Sequence, residues 1–313
     1  MLGKTAGGLF WLYRYLERAE NTARLIETGQ RIALTRLGAG DREWRSVLQT
    51  AGSAAGYEAK YGDISRDRVV DWMLRDRANP GAVLPMLDTA RSNARMVRTA
   101  LTHEVWEAVN AGWMEIKDAL SRRVSERDLP RVLSLIRERT ALVRGATHGT
   151  MMRNDIYDFA RIGTFLERAD NTGRILDVKY YVLLPSAYAV GSSLDNVQWE
   201  TILRSLSANG AYRMAHGHDV DPRRIAEFLV LDRRMPRSLW FCAGKIRDNL
   251  TYLSRDYGTV GDPQHKADVL VRRFMSHDIE AVFRYGLHEY LQDVLAALAD
   301  ISNTIEVDYR FSE

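Results

Sequence analysis

A helical pattern occurs twice in this sequence and limits the possible folds more than any other feature. It reads YLERAENTARLI at residues 15–26 and FLERADNTGRIL at residues 165–176. Apolar residues recur at intervals of three and four, which predicts an amphipathic helix in each copy. On such a helix, residues 10–27 place their polar side chains opposite the apolar ones. The polar sides supply our candidate binding or structural network: Arg14, Glu17, Arg18, Asn21, Arg24, Glu167, Arg168, Asn171 and Arg174.

The polar side has three interpretations. It could be a solvated face, but exposed pairs contribute only about 0.2–0.5 kcal/mol each. So small a gain would not keep Glu, Arg, Asn and Arg identical in both copies while the apolar residues vary. A buried network, of the type Glu17–Arg168 and Arg18–Glu167, is the second interpretation and the one we favour. The third is a groove that receives a carboxylate, a phosphate or an acidic surface of a partner.

The similarity between the two halves extends beyond these helices. WRSVL at residues 44–48 resembles WETIL at 199–203, and Pro80 matches Pro236. The helical periodicity continues throughout, with no alternation typical of strands. We therefore predict an all-α helical bundle made of two tandem pseudo-symmetric repeats. The repeats would be residues 1–150 and 151–313, each with about five to six helices, packed as one continuous domain.

Composition disfavours several classes of protein. The 313 residues carry 44 basic and 41 acidic side chains, a net charge of +3, so charge gives no reason to expect nucleic-acid binding. Cys242 is the single cysteine, which excludes an internal disulfide and fits a reducing compartment. No stretch reaches the roughly 18 apolar residues of a membrane span. We expect a soluble cytoplasmic protein.

The predicted helix after Pro80 carries a second candidate site, for an anion or a partner protein: Arg91, Asn93, Arg95 and Arg98. The three arginines are spaced to lie on one helix face, where they could grip a carboxylate or phosphate. Of the three arginines, only Arg91 has an arginine counterpart in the second repeat, Arg247, which suggests that the column has a use beyond symmetric packing. A merely solvated basic face is the alternative.

Motifs for metal binding and catalysis are weak. HGHDVD at residues 216–221 contains His-x-His, but it lies in a predicted loop and its counterpart, YGDIS at 61–65, has no histidine. We therefore predict no metal site. No sequence typical of a nucleotide loop or a nucleophile elbow occurs. Cys242 follows two aromatic residues in a predicted helix, which indicates a buried, inert thiol. His288 is interpreted as a structural histidine.

A resemblance to a known family rests on five segments: FWLYRYLERAENTARLI (10–26), residues 79–110, FLERADNTGRIL (165–176), LDRRMPRSL (231–239) and YGLHEYL (285–291). Together they resemble the bacterial alpha-E family, which is named for its helical content and its Glu-Arg motif. The resemblance covers essentially the whole chain. One departure is RSNAR at residues 91–95, where the family pattern has Arg-Glu-Asn-Ala-Arg, so Ser92 replaces that carboxylate in this chain.

The resemblance implies an all-α fold and a role beside a circularly permuted ATP-grasp protein. That partner implies ATP-dependent formation of peptide or amino-acid amide bonds, with this chain as a helical subunit that shapes or completes the acceptor site. ATP and magnesium would then belong to the ligase, and this chain would carry no cofactor. A transglutaminase-like peptidase is a further implied neighbour. The alternative is an enzyme in its own right, which transfers an amide or aminoacyl group in a cleft lined by Glu and Arg.

Overall fold

The computed structural model describes residues 1–35, 40–182 and 193–312, and within these ranges every regular element is helical. The prediction of an all-α fold is therefore confirmed. The chain forms two compact units, Met1–Thr164 with Phe311–Glu313, and Phe165–Arg310. None of the described helices combines the length and apolarity that a membrane span requires.

The first unit contains seven complete helices within its described residues: α1 (Gly3–Thr35), α2 (Gly40–Thr50), α3 (Ala54–Tyr61), α4 (Arg66–Leu74), α5 (Val83–Met96), α6 (His103–Ala119) and α7 (Leu129–Thr150). A short 3-10 turn at Arg98–Ala100 follows α5. Helix α8 (Asp155–Val182) begins in this unit and continues into the second.

The second unit continues with seven further helices in its described part: α9 (Ser193–Ser205), α10 (Asn209–His216), α11 (Pro222–Val230), α12 (Leu239–Tyr257), α13 (Asp262–Ser276), α14 (Ile279–Tyr285) and α15 (Leu287–Asp308). Helices α3 and α10 have eight residues each, and α4 and α11 have nine each. The tandem duplication and its boundary after residue 150 stay predictions, and the two compact units instead divide inside α8.

Local sequence sets the ends of several helices. The Asp221 side chain accepts from the first backbone N–H groups of α11, and Pro222 occupies the first helical turn, where its missing N–H costs nothing. Ser238 caps α12 in the same way. Gly258 ends α12 at a φ of 70°, a left-handed conformation that glycine adopts without strain.

Helix α1 is the central element of the first unit, because α2, α5 and α7 all pack against it. Phe10 is fully buried and lies 5.3 Å from the ring of Phe311. Neighbouring helices on several sides leave α1 little solvent-facing surface, so several of its polar side chains are buried.

Candidate functional site

The polar side of α1 is buried. Glu17 is 2% exposed, Glu20 is fully buried and Asn21 is 4% exposed. A solvated face on this helix is therefore wrong, since α7 packs against the polar side of α1. A buried carboxylate is strongly destabilising unless it is paired and hydrogen-bonded, so the partners of these glutamates matter.

Arg144 on α7 supplies one of those partners. Its Nη1 lies 3.6 Å from Oε2 of Glu17 and makes a closer ion pair with Oε2 of Glu20. Oε1 of Glu20 accepts from Arg24, at 3.1 Å from Nε and 2.7 Å from Nη2. Both Glu20 oxygens are thus paired with guanidinium groups.

Further hydrogen bonds and an ion pair connect α1 to α7. The hydroxyls of Tyr13 and Thr147 share a hydrogen bond of 2.5 Å. The Thr140 hydroxyl donates to Glu20 at 3.1 Å, and Arg137 pairs with Glu27 at 2.6 Å. The contacting residues on each helix recur every seven positions, as expected for two antiparallel helices that face each other along one line. We call this set the polar seam: Tyr13, Glu17, Glu20, Glu27, Arg137, Thr140, Arg144 and Thr147.

The remaining polar residues of the first copy lie at the edges of the seam. The Arg14 guanidinium lies 5.0 Å from the centre of the Trp11 ring, a cation–π contact. Arg18 is half-buried. Burial raises the pKa of the Tyr13 hydroxyl well above its usual value, so Tyr13 remains a neutral hydrogen-bonding group.

The second copy, in α8, has different surroundings. Glu167 is buried at 3% exposure, but Asp170 pairs with Arg174 at 2.7 Å in a partly exposed position. The Arg168 guanidinium lies 5.3 Å from the Phe165 ring and donates to the Pro236 carbonyl at 3.4 Å. The Asn171 amide nitrogen has no hydrogen-bond partner among the described residues. The predicted pairing of the two copies with each other stays a prediction.

Helix α8 makes its polar contact with α15 further along the chain. Asp177 accepts from Gln292 at 2.8 Å, and its other oxygen lies 2.5 Å from Nδ1 of His288. His288 thus has a structural partner, as its sequence context predicts. Gly173 lies against the Leu295 side chain.

The arginines predicted to form a column after Pro80 lie in two different elements. Helix α5 ends at Met96, so Arg98 lies in the following 3-10 turn and not on the helix itself, which corrects that part of the prediction. Arg91 donates from Nε to the Asn110 side chain at 2.8 Å and lies 4.1 Å from the Trp113 ring. Asn93 is half-buried, and Arg95 is exposed.

Two tryptophans of α6 that the sequence analysis did not single out organise this surface. Trp113 holds Arg91 and also donates from Nε1 to Asp88 at 2.7 Å. Trp106 lies 5.4 Å from the Arg98 guanidinium. They are seven residues apart on α6, which is the only signal in the sequence that places both on one helix face. We call this set the arginine–tryptophan face: Arg91, Arg95, Arg98, Trp106 and Trp113.

The weaker candidates have structural roles. No group of metal-binding side chains occurs in residues 1–35, 40–182 or 193–312. His216 ends α10 and packs against the rings of Tyr212 and Phe228, while Asp221 caps α11. Cys242 is fully buried in α12, as predicted.

The buried glutamates of the polar seam are better suited to a structural role than to proton transfer. A general acid or base needs a carboxylate that can reach substrate and exchange its proton. Glu17 and Glu20 instead lie inside the first unit, and Glu20 has two arginines and a threonine on its oxygens. Arg95 of the arginine–tryptophan face, by contrast, is exposed, and the other four residues of that face are half-buried.

Comparisons with known proteins give a family but no described activity. A family model described as "a predicted alpha-helical domain with a conserved ER motif" matches residues 1–309. An uncharacterized protein of Mycobacterium bovis is 25% identical over 311 residues, and one of Mycobacterium tuberculosis is 24% identical over the same length. The alignments cover 93% of this chain and 34% of each relative, so the chain spans about a third of their length. No solved structure matches.

Proposed function

Because this chain belongs to the Alpha-E family, we propose that it is the helical partner subunit of a circularly permuted ATP-grasp ligase that forms peptide or amino-acid amide bonds. In this role it helps to shape or complete the site where the ligase binds its acceptor. ATP and magnesium belong to the ligase, and a transglutaminase-like peptidase is a further proposed neighbour. The proposal includes a cytoplasmic location, where ATP is available.

The observation that carries the proposal is the contrast between buried carboxylates and an accessible arginine–tryptophan face. The carboxylates that an enzyme of this kind would need are occupied by internal arginines in the first unit. Amide or aminoacyl transfer by this chain alone is therefore the less supported alternative.

The arginine–tryptophan face has the composition of a protein-binding surface. Trp and Arg are the residue types most enriched among those that dominate binding energy. Arg91 is held in place by Asn110 and Trp113, which lowers the entropy lost on binding. Arg95 is the fully exposed member of the same surface. An acidic patch on the ligase is the complementary partner.

The length of the relatives also supports a partner role. They carry the region that resembles this chain as about a third of a longer polypeptide. A helical region that occurs together with other segments in one chain is suited to working against a neighbouring domain.

The direct test is binding to a circularly permuted ATP-grasp protein from the same organism. Purified chain and ligase should form a complex with micromolar affinity or better, and Arg95→Ala should weaken it about tenfold, the effect of losing roughly 1.4 kcal/mol. Arg131→Ala, which removes an exposed arginine from α7, is the matched control and should bind normally. Absence of a complex at micromolar concentrations, or equal loss in both variants, would contradict the proposal.

A further inference from the structure

A second polar site lies in the second unit, between the C-terminal turns of α13, helix α14 and the first turn of α15. These segments enclose an open pocket of about 470 Å³. That volume lies within the range of roughly 300–1,000 Å³ typical of pockets for small ligands. The pocket contains two residues of the YGLHEYL segment, Tyr285 and Tyr290, for which the proposed function gives no role.

The Tyr290 hydroxyl is the central feature of this pocket. Tyr290 is 1% exposed, and its oxygen makes no hydrogen bond of ordinary geometry among the described residues, although the Arg273 guanidinium is close enough to lower the pKa of this hydroxyl. Nε of Arg273 and Nδ1 of His277, which belong to the same pocket, likewise have none in the described part of the chain. Buried polar groups in proteins are normally hydrogen-bonded, so three such groups at one pocket call for a common explanation.

All three groups can donate a hydrogen bond. A guanidinium N–H is always a donor, and an imidazole Nδ1 donates in one neutral tautomer and in the charged form. Burial raises the pKa of Tyr290 to about 12, so its hydroxyl keeps its proton at neutral pH. The three groups therefore share a preference for an acceptor, and a carboxylate oxygen is a strong one.

The charges at the pocket favour a ligand with one negative charge. Arg272 and Arg273 both belong to the lining, and Asp293 pairs with Arg273 at 2.8 Å. Asp293 also accepts from the Tyr285 hydroxyl at 2.8 Å. One cation remains in excess of this pair. A carboxylate matches that excess, whereas the second charge of a phosphate would be repelled by Asp293.

We propose that this pocket binds the carboxylate of a small organic molecule through Tyr290, Arg273 and His277. The body of the molecule would lie against the apolar side of the pocket, formed by Val269, Ala281 and the exposed ring of Tyr285. This inference does not depend on the proposed function, because it concerns ligand binding by this chain alone.

The test titrates the full chain with three probes and follows binding by NMR and calorimetry. N-acetylphenylalanine has a carboxylate and an apolar body, its carboxamide lacks only the charge, and inorganic phosphate has the charge without the body. The carboxylate should bind with a Kd of about a millimolar, and the carboxamide at least about tenfold more weakly. No carboxylate binding up to tens of millimolar, equal binding of the carboxamide, or tighter binding of phosphate would overturn the proposal.

Tyr290→Phe locates the binding at this pocket. It keeps the ring that Arg273 covers at 4.5 Å and removes only the hydroxyl, so binding of the carboxylate should fall about tenfold. Tyr252→Phe, which removes an exposed hydroxyl from α12 outside the pocket lining, should bind like the unchanged chain.

Folding of the variant provides a separate readout. Because the Tyr290 hydroxyl makes no hydrogen bond of ordinary geometry among the described residues, its loss should leave the unfolding midpoint unchanged or raise it slightly. A clear fall in the midpoint would show an internal structural role for the hydroxyl and would count against a ligand. Binding that is unchanged in Tyr290→Phe would overturn the assignment to this pocket.

Discussion

The two copies of the Glu-Arg pattern have nearly the same residues and different surroundings. In α1, Glu20 is fully buried and contacts Arg24, Thr140 and Arg144. Its counterpart in α8, Asp170, pairs with Arg174 where the side chains are 21% and 49% exposed. The same position of the repeated pattern, Glu20 or Asp170, is therefore part of a buried network in one unit and of a partly solvated pair in the other.

The facing helices explain this difference. Helix α7 presents Arg137, Thr140 and Arg144 to the acidic residues of α1. Helix α15 contacts α8 through Leu295 at Gly173 and through His288 and Gln292 at Asp177. A residue's role in this fold depends on the helix packed against it as much as on its own motif.

The largest effect on the free energy of unfolding is expected from neutralising Glu20, and its counterpart Asp170 provides the comparison. Glu20→Gln should lower the free energy of unfolding by about 3 kcal/mol, because two guanidinium groups then face a neutral, fully buried amide. Asp170→Asn removes the equivalent charge from a partly exposed pair and should cost no more than about 0.5 kcal/mol. Urea denaturation, with hydrogen exchange of α1 and α8 amides, measures both. Equal losses would remove the distinction between the units.

An intermediate loss of stability is expected from a substitution at Gly163, the position in the second copy that is equivalent to Tyr13. A Cβ at Gly163 would lie 2.3 Å from the Phe10 carbonyl oxygen, a backbone atom that cannot move aside. Gly163→Ala should therefore destabilise by about 1–3 kcal/mol.

Gly149→Ala in α7 is the matched control for this substitution. It has no atom within 4 Å of the added Cβ and should stabilise by up to about 1 kcal/mol. Thermal unfolding compares the two alanine variants. A Gly163→Ala variant as stable as Gly149→Ala would show that the close approach does not limit the packing.

The smallest effect concerns His148, which lies near Arg161 and Arg153, in contrast to His288 beside Asp177. Burial first, and then the two arginines, lower the pKa of His148 in the folded state. The unfolded chain then binds a proton more readily, so His148 favours folding fully above about pH 6.5, and this contribution is lost as the pH falls toward the lowered folded pKa.

The His148→Gln variant isolates that contribution. The difference in unfolding midpoint between the unchanged chain and the variant should shrink as the pH is lowered from about 8 to about 5. A difference that grows on acidification would mean that the folded state favours the charged imidazole.

Much of the fold follows from the sequence, because helical periodicity and capping are local signals. The pattern around residues 15–26 predicts a helix, and α1 is one. Its polar side is buried too, because α7 packs against that side. That outcome depends on α7, more than 100 residues away in the sequence, and no local pattern reveals it.

Local sequence also does not predict that Arg144 is the residue that pairs with Glu20. Arg144 is one of several arginines in α7, and nothing beside it in the sequence distinguishes it. A signal does exist at longer range: Glu20 and Glu27 are seven residues apart, as are Arg137 and Arg144. Two such spacings of opposite charge are expected where two helices pack side by side. The prediction that Arg98 shares a helix with Arg91 is wrong for a local reason, because α5 ends at Met96.

A double-mutant cycle between Glu20 and Arg144 tests the central claim most directly, because it isolates the interaction across the polar seam from all others. With Glu20→Gln, Arg144→Met and the double variant, we predict a coupling energy of about 2 kcal/mol or more in the free energy of unfolding. The parallel cycle between Asp170 and Arg174 should give no more than about 0.5 kcal/mol. A coupling between Glu20 and Arg144 as small as that of the partly exposed pair would contradict a buried network at the Glu-Arg motif.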